Sequence, residues 1–289
     1  MTQMEQLTLE NGSIVSYRVM GSGPPIIGMP GGPGVSSGYL ASFAEPLIDR
    51  LTWYLVDPPG TGSSTPAADY SIEAHADFYR SVMLLLGVEQ SFVFGHSYSG
   101  VVAPTFASRY PDATLGCLLV APPVVGTDVD AAEGGGIRAD MNAAMERHSG
   151  RPWYEDAVEA EFNPDPDDVS GSFRRGLPLY FSDPSDDMLA RAVEALGPIE
   201  VNMDPMMWFY GKEWPGLDLR PMIPELATPV LAIVGEHDWA VPPVQAWHYA
   251  SAPDGDVVVI PDCGHFVQVE KPDDYRAAAV GWLERLERH

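Results

Sequence analysis

The feature that most constrains the fold is a regular alternation of short apolar, β-branched segments with helical patterns over residues 1–123. Such alternation favours a mostly parallel sheet with helices on both faces. The segments typical of strands are Ile14–Val19, Pro25–Met29, Thr52–Val56, Ser91–Phe94 and Leu115–Val120. The helical patterns between the last four are Tyr39–Ile48, Ser71–Leu86 and Gly100–Arg109. The sequence therefore predicts an α/β fold.

The same alternation returns near the end of the chain, with strands at Val230–Val234 and Val257–Ile260 and helices at Val244–Ala250 and Asp273–Leu286. The intervening residues 124–223 show helical patterns without alternating strands. These patterns are Arg138–His148, Trp153–Phe162 and Asp186–Leu196. We therefore predict one core built from residues 1–123 and 224–289, with residues 124–223 as a mostly helical insertion.

Charge and composition narrow the range of partners. The chain has 289 residues, and its 41 acidic against 16 basic side chains give a net charge of −25, which repels nucleic acid and anionic lipid. Cys117 and Cys263 have no zinc-binding spacing, and no apolar segment approaches the roughly 18 residues of a membrane span. We expect a cytoplasmic protein with a small-molecule substrate, no metal, no cofactor, and no nucleic-acid or membrane partner. The oligomeric state is left open.

The strongest local motif is Gly95-His96-Ser97-Tyr98-Ser99-Gly100, a G-x-S-x-G pattern between a predicted strand and a predicted helix. In that context the pattern is typical of a tight turn that presents a nucleophilic serine at the positive end of the following helix. We predict Ser97 as the nucleophile. The backbone N–H of Tyr98, the residue after it, is a predicted donor to the oxyanion.

A serine hydroxyl needs a base, and the base needs an acid to orient it. Folds with this turn place the three in the chain order serine, acid, histidine. His265 follows the strand Val257–Ile260 and is the predicted base. Glu236 and Asp238 both follow the preceding strand, and we favour Asp238 because it lies far enough past the strand to reach His265.

A glycine-rich loop, Met29-Pro30-Gly31-Gly32-Pro33-Gly34, follows the strand Pro25–Met29. Glycines let backbone N–H groups approach a developing oxyanion closely. Gly32 is the first choice for the second oxyanion donor and Gly31 is the second choice. The loop lacks the spacing of the phosphate-binding glycine motifs.

Together these motifs, with Asp57-Pro58-Pro59-Gly60-Thr61-Gly62-Ser63-Ser64, resemble the α/β-hydrolase superfamily and, within it, the group similar to proline iminopeptidases. The resemblance implies a mostly parallel sheet flanked by helices, with a helical cap inserted after the sixth strand. Residues 124–223 occupy the place of that cap. The resemblance also implies a structural rather than catalytic role for Asp57.

Three positions depart from the peptidases. Pro30 stands where the oxyanion loop of the peptidases has histidine. The peptidases also resemble one another in holding the substrate's amine with glutamates, and Trp239 and Met207 stand at the corresponding positions here. Whether Glu200 or Glu213 replaces these glutamates is left open.

The segment around Met207 is rich in methionine and aromatic residues and predicts a largely apolar pocket. The candidate pocket residues are Met207, Trp208, Trp214, Trp239 and Phe266. The predicted activity is hydrolysis of an ester, lactone or similar acyl bond of an apolar small molecule. The alternatives are a proline iminopeptidase-type aminopeptidase, and a cofactor-free lyase or perhydrolase that uses the same triad, or a ligand receptor built on an inactive hydrolase scaffold.

Overall fold

Eight strands form one sheet in the computed structural model, which describes residues 4–288. They are β1 (Glu5–Thr8), β2 (Ile14–Gly21), β3 (Pro25–Met29), β4 (Thr52–Val56), β5 (Ser91–His96), β6 (Thr114–Val120), β7 (Val230–Gly235) and β8 (Gly255–Ile260). The order across the sheet is β1-β2-β4-β3-β5-β6-β7-β8. Strand β2 runs antiparallel to β1 and β4, and the other neighbours are parallel. The predicted mostly parallel sheet is confirmed. Residues 1–3 and 289, which the predicted core ranges include, lie outside the described residues.

The helices of the described chain include α1 (Ala41–Ala44), α2 (Ile72–Leu85), α3 (Ser99–Arg109), α4 (Thr127–Ala132), α5 (Gly136–Glu146), α6 (Tyr154–Phe162), α7 (Val169–Gly176), α8 (Asp186–Leu196), α9 (Met203–Trp208), α10 (Pro243–Trp247), α11 (Val267–Glu270) and α12 (Pro272–Leu286). Helix α2 begins after Ser71, whose hydroxyl accepts a hydrogen bond from the N–H of Ala74 and caps the first turn. None of the described helices combines the length and the apolar character that crossing a membrane requires.

Helices cover both faces of the sheet, because successive strand residues point to opposite sides. Ile27 and Val93 pack in one buried cluster with α2 and α3, whereas Ile26 and Phe94 pack in a second cluster with α12. Because the central strands are buried on both faces, their sequences are continuously apolar and do not alternate between apolar and polar residues.

The structure differs from the sequence prediction at two elements in the first half of the chain. The predicted helix Tyr39–Ile48 is a series of short turns, because the only α-helical part is α1 and Pro46 has no N–H to extend it. Strand β1 was not predicted, because its sequence Glu-Gln-Leu-Thr is polar and three of its four residues are exposed. It lies at the edge of the sheet, away from the candidate site.

Between β6 and β7 the chain forms six α-helices, α4 to α9. The predicted helices in this segment correspond to α5, α6 and α8, and the range Asp186–Leu196 is reproduced residue for residue. Helices α4, α7 and α9, which have six to eight residues each, were not predicted. Helices that short depend on tertiary packing more than on their own sequence pattern.

Candidate active site

Ser97 lies at the sharp turn between β5 and α3, at the carboxyl edge of the sheet. Its φ of 53° belongs to the left-handed region, which a non-glycine residue enters at an energetic cost. The N–H of Ser97 donates to the carbonyl oxygen of Val120 at 3.0 Å, so the turn is fixed to the neighbouring strand. The strained backbone directs the serine towards the cavity above the sheet.

The two glycines of the motif leave room for the turn. A Cβ on Gly95 would lie 2.2 Å from the carbonyl oxygen of Ser99, and a Cβ on Gly100 would lie 2.5 Å from the Cα of Pro122. Both separations are shorter than real Cβ contacts. The G-x-S-x-G spacing therefore follows from how closely the strand, the turn and the helix pack.

Asp238 and His265 form a buried hydrogen-bonded pair beside this turn. Nδ1 of His265 donates to Oδ2 of Asp238 at 2.7 Å, and the two residues are 3% and 1% exposed. The other oxygen of Asp238 accepts from the backbone N–H groups of Ala240 and Val241 at 3.0 and 2.9 Å. With Oδ1 held by the backbone, Oδ2 is directed at the imidazole and fixes its proton on Nδ1.

Glu236, the other acid proposed from the sequence, makes no hydrogen bond to His265 among the described residues. Its side chain is half exposed, accepts from the backbone N–H of Asp262 at 3.1 Å and pairs with His237 at 3.6 Å. Among the hydrogen bonds of the described residues, none joins Ser97 Oγ to His265, although both residues line the same cavity. Such contacts are often long without substrate and tighten when it binds.

The glycine-rich loop after β3 lies against the serine turn. The N–H of Gly31 donates to the hydroxyl of Tyr39 at 2.6 Å, so this group is already used within the protein. The N–H groups of Gly32 and Tyr98 make no hydrogen bond within the described chain, and both residues line the cavity. Of the two glycines weighed from sequence, Gly32 is therefore the one whose N–H is free to face an oxyanion.

The hydroxyl of Tyr39 joins this loop to the serine turn. It lies 2.9 Å from Nδ1 of His96, and Nε2 of His96 lies 3.4 Å from the backbone oxygen of His265. Since the hydroxyl accepts from Gly31, its proton is directed at Nδ1, and His96 then carries its own proton on Nε2, towards His265. Burial, with a smaller contribution from His265, holds the pKa of His96 well below its usual range and keeps the ring neutral. One buried chain thus connects the three loops of the site.

Replacing Tyr39 by phenylalanine is expected to lower kcat by about 10- to 100-fold and to change KM little. The ring stays, but the Gly31 N–H and the His96 Nδ1 lose their buried partner, so the glycine-rich loop loses its attachment to the turn. Steady-state kinetics with an activated ester measure the effect. Tyr275→Phe is the matched control, because it removes a buried hydroxyl that donates to the backbone oxygen of Phe43 at 3.2 Å. Equal losses of kcat in the two variants would contradict a specific role for Tyr39.

Two carboxyls, the buried Asp57 and the half-buried Glu270, accept hydrogen bonds from loops of the site. Asp57 accepts hydrogen bonds from the hydroxyl of Ser16 and from the N–H and hydroxyl of Ser37, at 2.7 to 2.8 Å. These contacts give Asp57 a structural position away from the cavity. Glu270 accepts from the N–H of Gly264 at 2.6 Å, next to His265, while burial raises the pKa of this glutamate to about 7.

The cavity above Ser97 has a volume of about 490 Å³ and is bounded by the sheet edge on one side and by the helical segment on the other. Ser97, Tyr98, Gly32 and His265 lie on its floor side, together with Phe266. The walls are mainly apolar. They include Val35, Met141, Met145, Phe173, Ile199, Val201, Met206, Phe209, Trp214 and Trp239. Trp214, Trp239 and Phe266 therefore lie where the sequence predicted pocket residues.

Met207 and Trp208 do not line the cavity, and the prediction for these two residues is wrong. Met207 is 65% exposed, and its neighbour Met206 faces the cavity instead. One residue along an α-helix turns the side chain by about 100°, so a one-residue error changes the face. The ring of Trp208 packs against Tyr70 and lies under the ammonium group of Lys212.

The carboxylates considered for an amine site also lie elsewhere. Glu200 is exposed, and Glu213 accepts from the backbone N–H of Ile72 at 3.1 Å, at the start of α2. The one carboxylate among the lining residues is Glu161, at the end of α6. Its Oε1 accepts from the hydroxyl of Tyr180 at 2.8 Å. The sequence placed this residue on a helix but gave no signal that it faces the site.

The family model for the α/β-hydrolase fold matches residues 24–272 of the chain. The chain belongs to the α/β-hydrolase fold family. This α/β hydrolase is 30% identical over 239 residues to the dihydrolipoyllysine-residue acetyltransferase component of an acetoin cleaving system from Cupriavidus necator. That alignment covers 81% of this chain and 56% of the relative. The chain spans between about a third and about a half of the length of the curated relatives it matches.

Solved structures share the fold of this α/β hydrolase over nearly its whole length. An α/β fold family hydrolase from Bacillus anthracis str. Sterne aligns with a TM-score of 0.78 at 16% identity, covering 98% of this chain and 99% of that one. A proline iminopeptidase-related protein from Thermus thermophilus aligns with a TM-score of 0.72 at 22% identity, covering 99% and 98%. The resemblance to the α/β-hydrolase superfamily, including its proline iminopeptidase-like group, is confirmed at the level of fold.

Proposed function

We propose that this α/β hydrolase is a serine hydrolase that cleaves an ester, lactone or similar acyl bond of a largely apolar small molecule. The observation that carries the proposal is the buried 2.7 Å hydrogen bond between His265 and Asp238 beside a serine held at a φ of 53°. Proximity of a histidine–carboxylate pair to a strained serine is the arrangement that acyl transfer requires.

In this proposal Ser97 Oγ attacks the carbonyl carbon of the substrate while Nε2 of His265 takes the hydroxyl proton. Asp238 holds the proton on Nδ1 and stabilises the imidazolium that forms. The N–H groups of Gly32 and Tyr98 stabilise the oxyanion. His265 then gives its proton to the leaving oxygen, and a water molecule, deprotonated by the same imidazole, releases the acid from Ser97.

The walls of the cavity support an apolar substrate. Methionine, valine, isoleucine and aromatic side chains dominate the lining, and a volume of about 490 Å³ accommodates a medium-chain ester. In this proposal the helical segment 124–223 acts as a cap, because α5, α6, α7 and α9 all contribute lining residues. A cap above the serine excludes water and favours a bound apolar group over free solvent.

The aminopeptidase alternative is less well supported. A substrate ammonium needs carboxylates or several other acceptors to replace its hydration. Neither Glu200 nor Glu213 lines the cavity, and Trp239 and Met206 present apolar surface there. The one carboxylate that does line it, Glu161, has one of its oxygens bonded to Tyr180. A lyase or perhydrolase would use the same three residues, since the fold and triad do not fix the reaction.

A direct comparison of kcat/KM for p-nitrophenyl octanoate and for proline p-nitroanilide tests the proposal. We expect the ester to be hydrolysed, because it needs only the triad and an apolar pocket. The rate with the anilide is expected to be close to background. Dominant turnover of the anilide would favour the aminopeptidase. Turnover of neither substrate would contradict the hydrolase proposal and favour the lyase or the ligand receptor.

A further inference from the structure

Glu161 is the one carboxylate among the residues that line the cavity, most of which are apolar. It belongs to α6 and faces the cavity together with Phe162 and the aromatic ring of Tyr180. Burial raises the pKa of Glu161 above its usual value, and the hydrogen bond from Tyr180 opposes that rise. Keeping a carboxyl in apolar surroundings costs free energy unless its oxygens are paired. A ligand group in the cavity that pairs with this carboxyl would lower that cost.

Tyr180 connects Glu161 to the proposed base. Its hydroxyl donates to Oε1 of Glu161 at 2.8 Å, and its backbone oxygen accepts from the N–H of His265 at 2.8 Å. The ring of Tyr180 lies 5.4 Å from the ring of His265 and 5.3 Å from the ring of Trp239, measured between centroids. Glu161 is thus held close to the reacting centre by a residue that also positions the base.

Two hydrogen-bonding groups around Tyr180 have unused capacity within the described residues. Oε2 of Glu161 has no hydrogen-bond partner there and is a free acceptor. Nε1 of Trp239 is a donor without a partner, and Trp239 is only 4% exposed. Leaving a buried donor unpaired costs free energy, so a ligand group that accepts from it gains affinity.

We infer that Glu161 accepts a hydrogen bond from a hydroxyl group of the substrate, so that the cavity selects an apolar acyl compound carrying one hydroxyl. This inference rests on the proposed serine hydrolase activity. A hydroxyl can donate to Glu161 and accept from the Trp239 indole, whereas an ammonium can only donate. Glu161 is also the sole carboxylate among the lining residues, and one of its oxygens is already bonded to Tyr180. A neutral donor therefore suits the site better than a cation.

Matched esters test this selection. The wild-type enzyme is assayed with p-nitrophenyl octanoate and with its 3-, 6- and 8-hydroxy derivatives, and with octyl acetate and 8-hydroxyoctyl acetate for a hydroxyl on the alcohol side. We expect at least one hydroxylated ester to exceed its parent in kcat/KM by about 10- to 100-fold, the worth of a hydrogen bond to a carboxylate. p-Nitrophenyl 8-aminooctanoate is included to test an ammonium.

Variants assign the preference to Glu161. In Glu161→Leu the ratio of kcat/KM between hydroxylated and parent ester is expected to fall to about one, and in Glu161→Gln to an intermediate value. Trp239→Phe, which removes the indole N–H, is expected to lower the same ratio. Glu155→Leu is the matched control, because Glu155 lies on the same helix and is exposed to solvent. Its ratio should equal that of the wild type.

Three results would overturn the inference: no hydroxylated ester preferred over its parent, a preference that survives Glu161→Leu, or a preference for the amino ester. If the hydrolase proposal itself fails, the parent esters are not hydrolysed through Ser97, and this result differs from all three. In that case the hydroxyl preference is tested by calorimetric binding of methyl octanoate and its hydroxylated counterparts to Ser97→Ala. Tighter binding of a hydroxylated ester supports the inference without turnover, and equal affinities contradict it.

Discussion

Replacing Ser97 by alanine is expected to reduce kcat for p-nitrophenyl octanoate by about 10⁴- to 10⁶-fold. The variant lacks the oxygen that would form the acyl-enzyme, whereas the cavity and the N–H groups of Gly32 and Tyr98 remain. The loss should therefore fall on kcat, with KM changing far less. Steady-state kinetics on highly purified protein measure the effect, since traces of wild-type enzyme would dominate the residual rate.

The fold should survive this substitution. Within the described residues the hydroxyl of Ser97 makes no hydrogen bond, and the turn is held by the backbone bond to Val120. A thermal unfolding midpoint within a few degrees of wild type is the expected result. Ser81→Ala, on the exposed side of α2, serves as the matched serine replacement and should keep full activity. Near-wild-type activity in Ser97→Ala would contradict the account.

Replacing Asp238 by asparagine is expected to lower kcat by about 10⁴-fold near neutral pH. The amide oxygen can still accept from Ala240 and Val241, which leaves the NH₂ group facing Nδ1 of His265. An NH₂ group donates, so Nδ1 must become the acceptor and the imidazole proton moves to Nε2. In that tautomer His265 cannot take the proton of Ser97. The size of the substituted side chain is unchanged, so the effect isolates the proton position.

Glu236→Gln is the control for Asp238→Asn, because Glu236 lies two residues earlier in the same loop and bonds to Asp262 and His237. We expect its kcat within about threefold of wild type. A loss in Glu236→Gln comparable to that in Asp238→Asn would mean that the loop as a whole, rather than the carboxylate on His265, determines the rate. Activity retained in Asp238→Asn would remove this residue from the mechanism.

Much of the fold and of the candidate site follows from local sequence pattern. The strands of the core are apolar, β-branched and separated by helices, so periodicity located seven of the eight described strands. Ser97 could be predicted because the small residues around it are required by the packing of one turn. Asp238 and His265 could be predicted because parallel strands bring the loops at their carboxyl ends to one edge of the sheet.

The parts that could not be predicted depend on long-range geometry. The hydroxyl of Tyr39 accepts from the N–H of Gly31, eight residues away in the chain, and bonds to Nδ1 of His96, 57 residues away. Glu161 looks like any solvated helical glutamate, and only the position of α6 over the sheet turns it towards the cavity. Long-range packing also explains why Met206 rather than the predicted Met207 faces the cavity. In a six-residue helix, packing against the rest of the protein sets which side chains face inwards.

Covalent labelling with a fluorophosphonate, followed by intact-protein mass and peptide mapping, tests most directly whether Ser97 is an activated nucleophile. The reagent reacts with a serine only when a neighbouring base takes its proton and the oxyanion is stabilised. We expect a single adduct on the peptide that contains Ser97, absent from Ser97→Ala and much slower to form in Asp238→Asn. An unlabelled wild-type protein, or an adduct on another residue, would contradict this expectation.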